Sequence, residues 1–168
     1  MANEKMHPDE IVTPDGSEAH FTWRQILRAI EKADRKDILE NLRVLDIGGG
    51  LGEFSKYLNN EEGVFCASIE KKDLEVNLGA NQVRAEISQL PFEDDSFGLV
   101  NATAVFDDAM YEFSYPSIAS EIYRVLKPEG LLVLNFNGPN NPFLLKEFEN
   151  KFKPVSDLGP DLTLWQKI

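Results

Sequence analysis

Asp46 stands near the end of a short apolar run, and behind it come Gly48, Gly49, Gly50, Leu51 and Gly52, with Glu53 opening the next segment. A turn this rich in glycine permits positive φ and close approach of a ligand to the main chain, while the first N–H groups of a following helix lack intrahelical partners. Such a turn is a floor for a bound molecule. Two further acids, Glu70 and Glu86, sit just past the ends of two other apolar runs, Val64 to Ile69 and Gln82 to Ala85. Spacing then selects among ligands. A dinucleotide turn reads Gly-x-Gly-x-x-Gly. Started at Gly48, its third glycine falls on Glu53; started at Gly49, its second falls on Leu51. The carboxylates of Asp46 and Glu53 would repel a pyrophosphate, whereas a ligand with an ammonium group and no phosphate tolerates them.

Weaker candidates lie elsewhere. Asp107 and Asp108 are placed to take a proton from an acceptor, although acids in a loop are more often simply solvated. His20 would move a proton if the N-terminal segment folds over the pocket, against the plainer reading of a structural histidine ahead of a helix. Tyr111, Phe113 and Tyr115 read as an exposed aromatic cluster able to line an acceptor site. Phe21 and Trp23, at helical spacing, read as packing surface, and Cys66 as a small core residue. No metal-ligand set is assigned.

The elements that must position these groups alternate. Residues up to about Gly16 are polar and broken by Pro8 and Pro14, so residues 1–20 read as a flexible arm and residues 21–168 as a single domain. Phe21, Trp23, Ile26, Leu27 and Ile30 mark an amphipathic helix. Arg43 to Ile47 is a strand, the glycine turn follows, and Glu53 to Leu58 restarts at helical spacing. Phe97 to Ala104 is a fourth strand and its exit; a helix then starts near Pro116 and stops at Lys127-Pro128-Glu129-Gly130, before a buried strand from Leu131 to Phe136. Phe143 begins another helix, and Phe152 to Asp157 and Leu162 to Ile168 are two strands joined through Gly159-Pro160. The expectation is a doubly wound, Rossmann-like, mostly parallel α/β sheet of seven strands, closed at its edge by an antiparallel C-terminal hairpin. In such a sheet ligands bind beyond the carboxyl ends of the strands at the topological switch point.

Three segments, in order, resemble the class I S-adenosylmethionine-dependent methyltransferases, and more narrowly their small-molecule type: Val44-Leu45-Asp46-Ile47-Gly48-Gly49-Gly50-Leu51-Gly52, Leu90-Pro91-Phe92-Glu93-Asp94-Asp95-Ser96-Phe97 and Glu121-Ile122-Tyr123-Arg124-Val125-Leu126-Lys127-Pro128-Glu129-Gly130. The resemblance runs from about Val44 to the C-terminus. It implies that S-adenosylmethionine is the cofactor and S-adenosylhomocysteine the product. It further implies that Asp46, Gly48, Gly49, Gly50 and Gly52 hold the methionine part, that Glu70 with the adjoining Lys71 takes the ribose hydroxyls, and that Glu86 and Ile87 meet the adenine. Asn101 would face the methionine end or the acceptor. Four positions depart from the family's pattern: Gly98 stands where relatives usually have an acid, Glu86 where a shorter acid is frequent, and Asp107-Asp108 where a histidine pair is frequent. Asn141-Pro142-Phe143 follows the fifth strand and looks like a turn rather than an amino-methylation motif.

Composition bounds the partners. With 17 Lys and Arg against 29 Asp and Glu, the net charge of −12 disfavours nucleic acid and anionic membranes and suits a small-molecule acceptor or a basic protein. One cysteine, an N-terminus without a signal-like apolar core and no membrane-length run lead to a cytoplasmic expectation. Against direct in-line methyl transfer stand a non-catalytic S-adenosylmethionine-binding module, a sensor or the partner-activating half of a complex, and a nicotinamide-dependent oxidoreductase, which the glycine spacing opposes; a homo-oligomer or a partner subunit belongs to the partner expectation whichever holds. The module reading is motivated by length: no insertion after the fifth strand is large enough to roof an acceptor, so the N-terminal arm or a second chain would have to do so, or the acceptor is large.

Overall fold

A computed structural model describes residues 18–71, 81–103, 105–106, 115–135, 142–159 and 162–168. The strands β1 (Arg43–Ile47), β2 (Phe65–Glu70), β3 (Gln82–Arg84), β4 (Phe97–Ala102), β5 (Leu126–Asn135), β6 (Phe152–Gly159) and β7 (Leu162–Lys167) join in one sheet of order β3-β2-β1-β4-β5-β7-β6. The first five are parallel, and β7 runs antiparallel to both β5 and β6. This is the doubly wound, mostly parallel sheet with a C-terminal hairpin that the alternating elements imply. After β1 the chain builds outward through β2 and β3, then returns to lay β4 on the other side of β1. The crevice between the carboxyl ends of β1 and β4 is therefore the switch point.

Central strands are apolar on both faces because helices cover both. On one side α1 (Glu18–Lys32) and α2 (Glu53–Tyr57) enclose Val44, Cys66, Leu99 and Val133; α1 contributes Ala19, Trp23, Ile26 and Ile30, all buried at helical spacing. On the other, α3 (Tyr115–Val125) and α4 (Pro142–Glu149) enclose Leu45, Ile47, Val100 and Leu132. Among the described residues no helix is long and apolar enough to cross a membrane.

Four boundaries differ from expectation, each for a physical reason. The first helix starts at Glu18 and not Phe21, since Ala19 already packs into the core and the acidic Glu18 suits a first turn; the rest of the expected arm, residues 1–17, lies outside the described residues. Tyr115 opens α3 and is buried in the core, so it is no part of an exposed aromatic cluster; Tyr111 and Phe113 lie outside the described residues. Helix α2 gives way at Leu58 to a wider π turn through Glu62. Finally, Lys127-Pro128-Glu129-Gly130 does turn, but inside β5. The ladder to β4 jumps from Phe97↔Leu126 to Leu99↔Leu131, Glu129 takes φ +59°, and a Cβ on Gly130 would lie 2.8 Å from the Lys127 carbonyl oxygen. The turn is a large bulge, and strand pairing resumes on either side of it.

Two of the three sequence motifs meet behind the sheet end. Arg124 on α3 donates to the carbonyls of Leu90 (2.9 Å) and Phe92 (2.7 Å), to Asp94 (2.9 Å) and to Glu121 (2.8 Å from Nε), while the Leu90 N–H donates to Glu121 at 2.7 Å. The Leu90–Phe97 segment is thereby pinned to α3. Its hydrogen bond to Arg124 holds the Glu121 carboxyl below the usual range.

Candidate functional site

Strand register places four polar side chains in one row. Gln82 of β3 is opposite Ser68 of β2, Ser68 is opposite Asp46 of β1, and Asp46 is opposite Asn101 of β4. Residues in register point to the same face, here the face covered by α1 and α2. The row lies at the carboxyl ends of the strands. Polar side chains occupy it where the neighbouring rows are apolar.

Asp46, Ser68 and Asn101 are all buried, at 3%, 0% and 3% exposure. Asn101 Nδ2 donates to Asp46 Oδ1 at 2.8 Å, which fixes the carboxylate and leaves one buried oxygen of each group without a partner: Asp46 Oδ2 and Asn101 Oδ1 make no hydrogen bond, and neither does Ser68 Oγ. Burial, with a contribution from the charge of Glu70, pushes the Asp46 carboxyl up to about 7, although the Asn101 hydrogen bond acts against it. Burial likewise pushes the Cys66 thiol up, so that residue stays an inert core thiol.

The glycine turn lies over this row. Gly48 and Gly49 donate to the Ile69 carbonyl at 3.0 and 3.2 Å, and the Gly52 N–H donates to Gly49 O at 2.7 Å. Gly48, Gly50 and Gly52 have φ of +70°, +52° and +75°, which a side chain would strain. Gly49 is glycine for a different reason: a Cβ there would stand 2.0 Å from Ser68 Oγ and 2.6 Å from Asp46 Oδ2. The Gly50 N–H donates to Glu70 Oε2 (3.2 Å), and Gln82 Nε2 donates to the Gly50 carbonyl (2.7 Å).

Above the turn opens a cavity of about 340 Å³, floored by Asp46, Asn101 and Gly48 to Gly50 and roofed by Glu18, Ala19 and Thr22 of α1, with Leu51, Glu53, Phe54 and Thr103 at its sides. Its described lining has three carboxylates and no Lys or Arg. Of the residues singled out in the sequence, Asp46, Gly48, Gly49, Gly50 and Asn101 meet here. Gly52 is buried beneath the turn, and Glu70 reaches it through Gly50. Glu70 Oε1 also accepts from the Lys71 N–H at 2.8 Å. Lys71 and Glu86 form an exposed ion pair at 3.4 Å, and Ile87 is buried in the α3 side of the core; these three do not line the cavity. His20 does not line it either, because its Nδ1 donates to the Tyr57 hydroxyl at 2.7 Å, and that hydroxyl in turn donates to Glu62. Asp107 and Asp108 lie outside the described residues. Sequence reasoning did not find Ser68, Gln82, Glu18 or Thr22. Ser68 and Glu70 share a strand face two residues apart, a signal that was available; Gln82 depends on β2–β3 pairing, which leaves no local trace.

A family model described as a methyltransferase domain matches residues 45–134. The ubiquinone/menaquinone biosynthesis C-methyltransferase UbiE of Marinomonas sp. (strain MWYL1) is 35% identical over 132 residues, covering 69% of this chain and 51% of that protein. Its namesake in Haemophilus ducreyi is 37% identical over 142 residues, covering 71% and 49%. The chain spans about half the length of these curated relatives. Among solved structures, a protein from Pyrococcus horikoshii OT3 superposes with a TM-score of 0.65 at 16% identity over 97% of this chain and 100% of that one. An S-adenosylmethionine-dependent methyltransferase from Methanosarcina mazei does so with 0.61 at 17% identity, over 76% and 92%. These two likenesses show the fold.

Proposed function

Because the chain belongs to the class I S-adenosylmethionine-dependent methyltransferases, we propose that it holds S-adenosylmethionine over the Gly48–Gly52 turn and passes the methyl group directly to a small-molecule acceptor. The reading rests above all on the Asp46–Asn101 pair: two buried side chains in the lining of the cavity, hydrogen-bonded to each other and each keeping one oxygen without a protein partner. An isolated buried acceptor costs about 1–3 kcal/mol, so two of them side by side fit a ligand that brings donors. An amino-acid ammonium does so. Nothing lies within 4 Å of where a Cβ would sit on Gly50, which leaves main chain there bare for close approach, and a described lining whose charged side chains are all carboxylates suits a cationic ligand without phosphate.

When bound, S-adenosylmethionine supplies an electrophilic methyl group on a sulfonium sulfur. The protein's part is to bind, orient and exclude water. Asp46, ionised against an ammonium, would be held by Asn101; Glu70, with two carboxylate oxygens, would take the ribose hydroxyls. Glu86 and Ile87 would face the adenine from beside the cavity. Glu18, Ala19 and Thr22 would close the cofactor's methionine end from above. Rate in such a transfer comes mainly from alignment of nucleophile, methyl and leaving sulfur, so no nucleophilic side chain is required. The relatives carry the name C-methyltransferase, which makes a nucleophilic carbon of a small molecule the first acceptor class to screen.

Calorimetric titration with S-adenosylmethionine and S-adenosylhomocysteine, with NAD as control, tests the reading. Micromolar binding of the first two and none of NAD is expected. Flat traces for both adenosyl ligands would overturn it. Glu70→Ala with undiminished affinity would remove the ribose assignment alone.

A further inference from the structure

We infer that Gln82 is a positioning residue for the cofactor turn, acting through the Gly50 carbonyl without touching the cofactor itself; the inference rests on the cofactor reading above. No atom lies within 4 Å of where a Cβ would sit on Gly50, a residue with φ of +52°, so its Cβ side is open. Two hydrogen bonds hold its main chain. Its N–H goes to Glu70 Oε2 and its carbonyl receives Gln82 Nε2, at 3.2 and 2.7 Å. The two ties are not equivalent. A Glu70 carboxylate that accepts ribose hydroxyls must share its oxygens with the ligand, which loosens its hold on Gly50 when the site is filled. The tie from Gln82 is independent of the ligand and remains.

Gln82 is also well placed to be rigid. Its backbone is fixed opposite Ser68 by the β2–β3 ladder, and the preceding Asn81 carbonyl accepts the Ser68 N–H at 3.0 Å. Its amide carbon and nitrogen lie 3.8 Å from the position of a Cβ on Gly52, so the side chain spans the turn from Gly50 to Gly52. An edge-strand residue thus sets the shape of a turn that follows a different strand.

The experiment is a titration of wild type, Gln82→Glu and Gln82→Met with two ligands, S-adenosylhomocysteine and methylthioadenosine, which lacks the amino-acid part. Glutamate keeps the size but sets an acceptor against the Gly50 carbonyl; methionine keeps the length and removes the donor, and serves if the glutamate variant fails to fold. One lost hydrogen bond corresponds to a weakening of roughly 3- to 10-fold for S-adenosylhomocysteine, with methylthioadenosine changed by less than about 2-fold and ligand-free melting temperature little moved. That split supports the positioning role. Equal weakening of both ligands, or an unchanged S-adenosylhomocysteine affinity, overturns it. A wild type that binds neither ligand overturns the cofactor reading instead, before any variant is measured.

Discussion

Two polar clusters sit on opposite sides of the sheet and differ in how completely they are satisfied. In the Arg124–Glu121 cluster each guanidinium nitrogen donates, both Glu121 oxygens accept, and the partners include two main-chain carbonyls and one N–H. In the Asp46–Ser68–Asn101 row every member is at least as deeply buried, yet each keeps one atom without a partner. A folded protein gains from the first arrangement and loses from the second. The first cluster is a fastener that ties the Leu90–Phe97 segment to α3. The second is left incomplete by the protein's own groups, as the cofactor reading requires. Arg124, Glu121 and Asp46 all lie in segments typical of the family, and motif membership alone does not separate the fastener from the site.

The comparison is sharpened by substitutions, beginning with the largest expected effect. Gly49→Ala drives a methyl into Ser68 Oγ and Asp46 Oδ2, and should weaken S-adenosylhomocysteine by on the order of 100-fold, a loss typical of overpacking at a rigid contact. Calorimetry on the purified variant reads this directly, and an affinity within about 3-fold of wild type would show that the turn does not form the floor.

Arg124→Ala takes a partner from two carbonyls and two carboxylates and should cost about 3 kcal/mol of stability, visible as a melting temperature lower by several degrees. Ligand affinity of the surviving folded fraction should not change. If affinity fell in step with stability, fastener and site would be one cooperative unit.

Asp46 carries a pH signature. Its carboxyl is held at about 7 in the folded chain against an ordinary value of 3.8, so between those values the folded state binds more protons than the unfolded one. Ligand-free stability should therefore fall as pH rises from about 4 to about 7 and level off above. A bound ammonium favours the ionised form, so cofactor affinity should rise over the same window with release of a proton. Asp46→Asn should flatten both profiles, raise ligand-free stability at pH 8 by about 2 kcal/mol and weaken the cofactor. Calorimetry in buffers of different ionisation enthalpy counts the proton, and a count of zero at pH 6 would remove Asp46 from the ammonium site.

The smallest effect belongs to Lys167, whose ammonium is buried against the Leu126 carbonyl (2.6 Å), Asp95 (3.1 Å) and the ring of Tyr123 (4.3 Å). Lys167→Met keeps the stem and loses the head group, at about 1 kcal/mol. Denaturant midpoints should show it, with cofactor affinity untouched.

The glycine turn at the switch point was readable because its residues lie close together in sequence. Asp46 and the glycines after it declare a turn with main chain open to close approach, and alternating apolar runs place that turn at a strand end. What could not be read depends on contacts between distant segments. Gln82 is a plain strand residue until β3 is laid beside β2 in a particular register. Glu18 and Thr22 become a roof only when α1 crosses the cavity. His20 was a reasonable candidate by type, and its bond to Tyr57 takes it out of the cavity lining. The Lys127–Gly130 turn was seen, but nothing local said that the chain would pair with β4 on both sides of it.

The contact between Gly49 and Ser68 has a consequence for how this site can vary. Only the absence of one carbon at position 49 makes room for the oxygen at position 68. The two positions therefore form a single character under mutation: a methyl gained at one calls for volume given up at the other, with the end of Asp46 limiting how far the exchange can run. The order of change matters: loss of the oxygen at position 68 meets no steric bar and opens the way to a side chain at position 49, whereas a side chain gained first at 49 has no room.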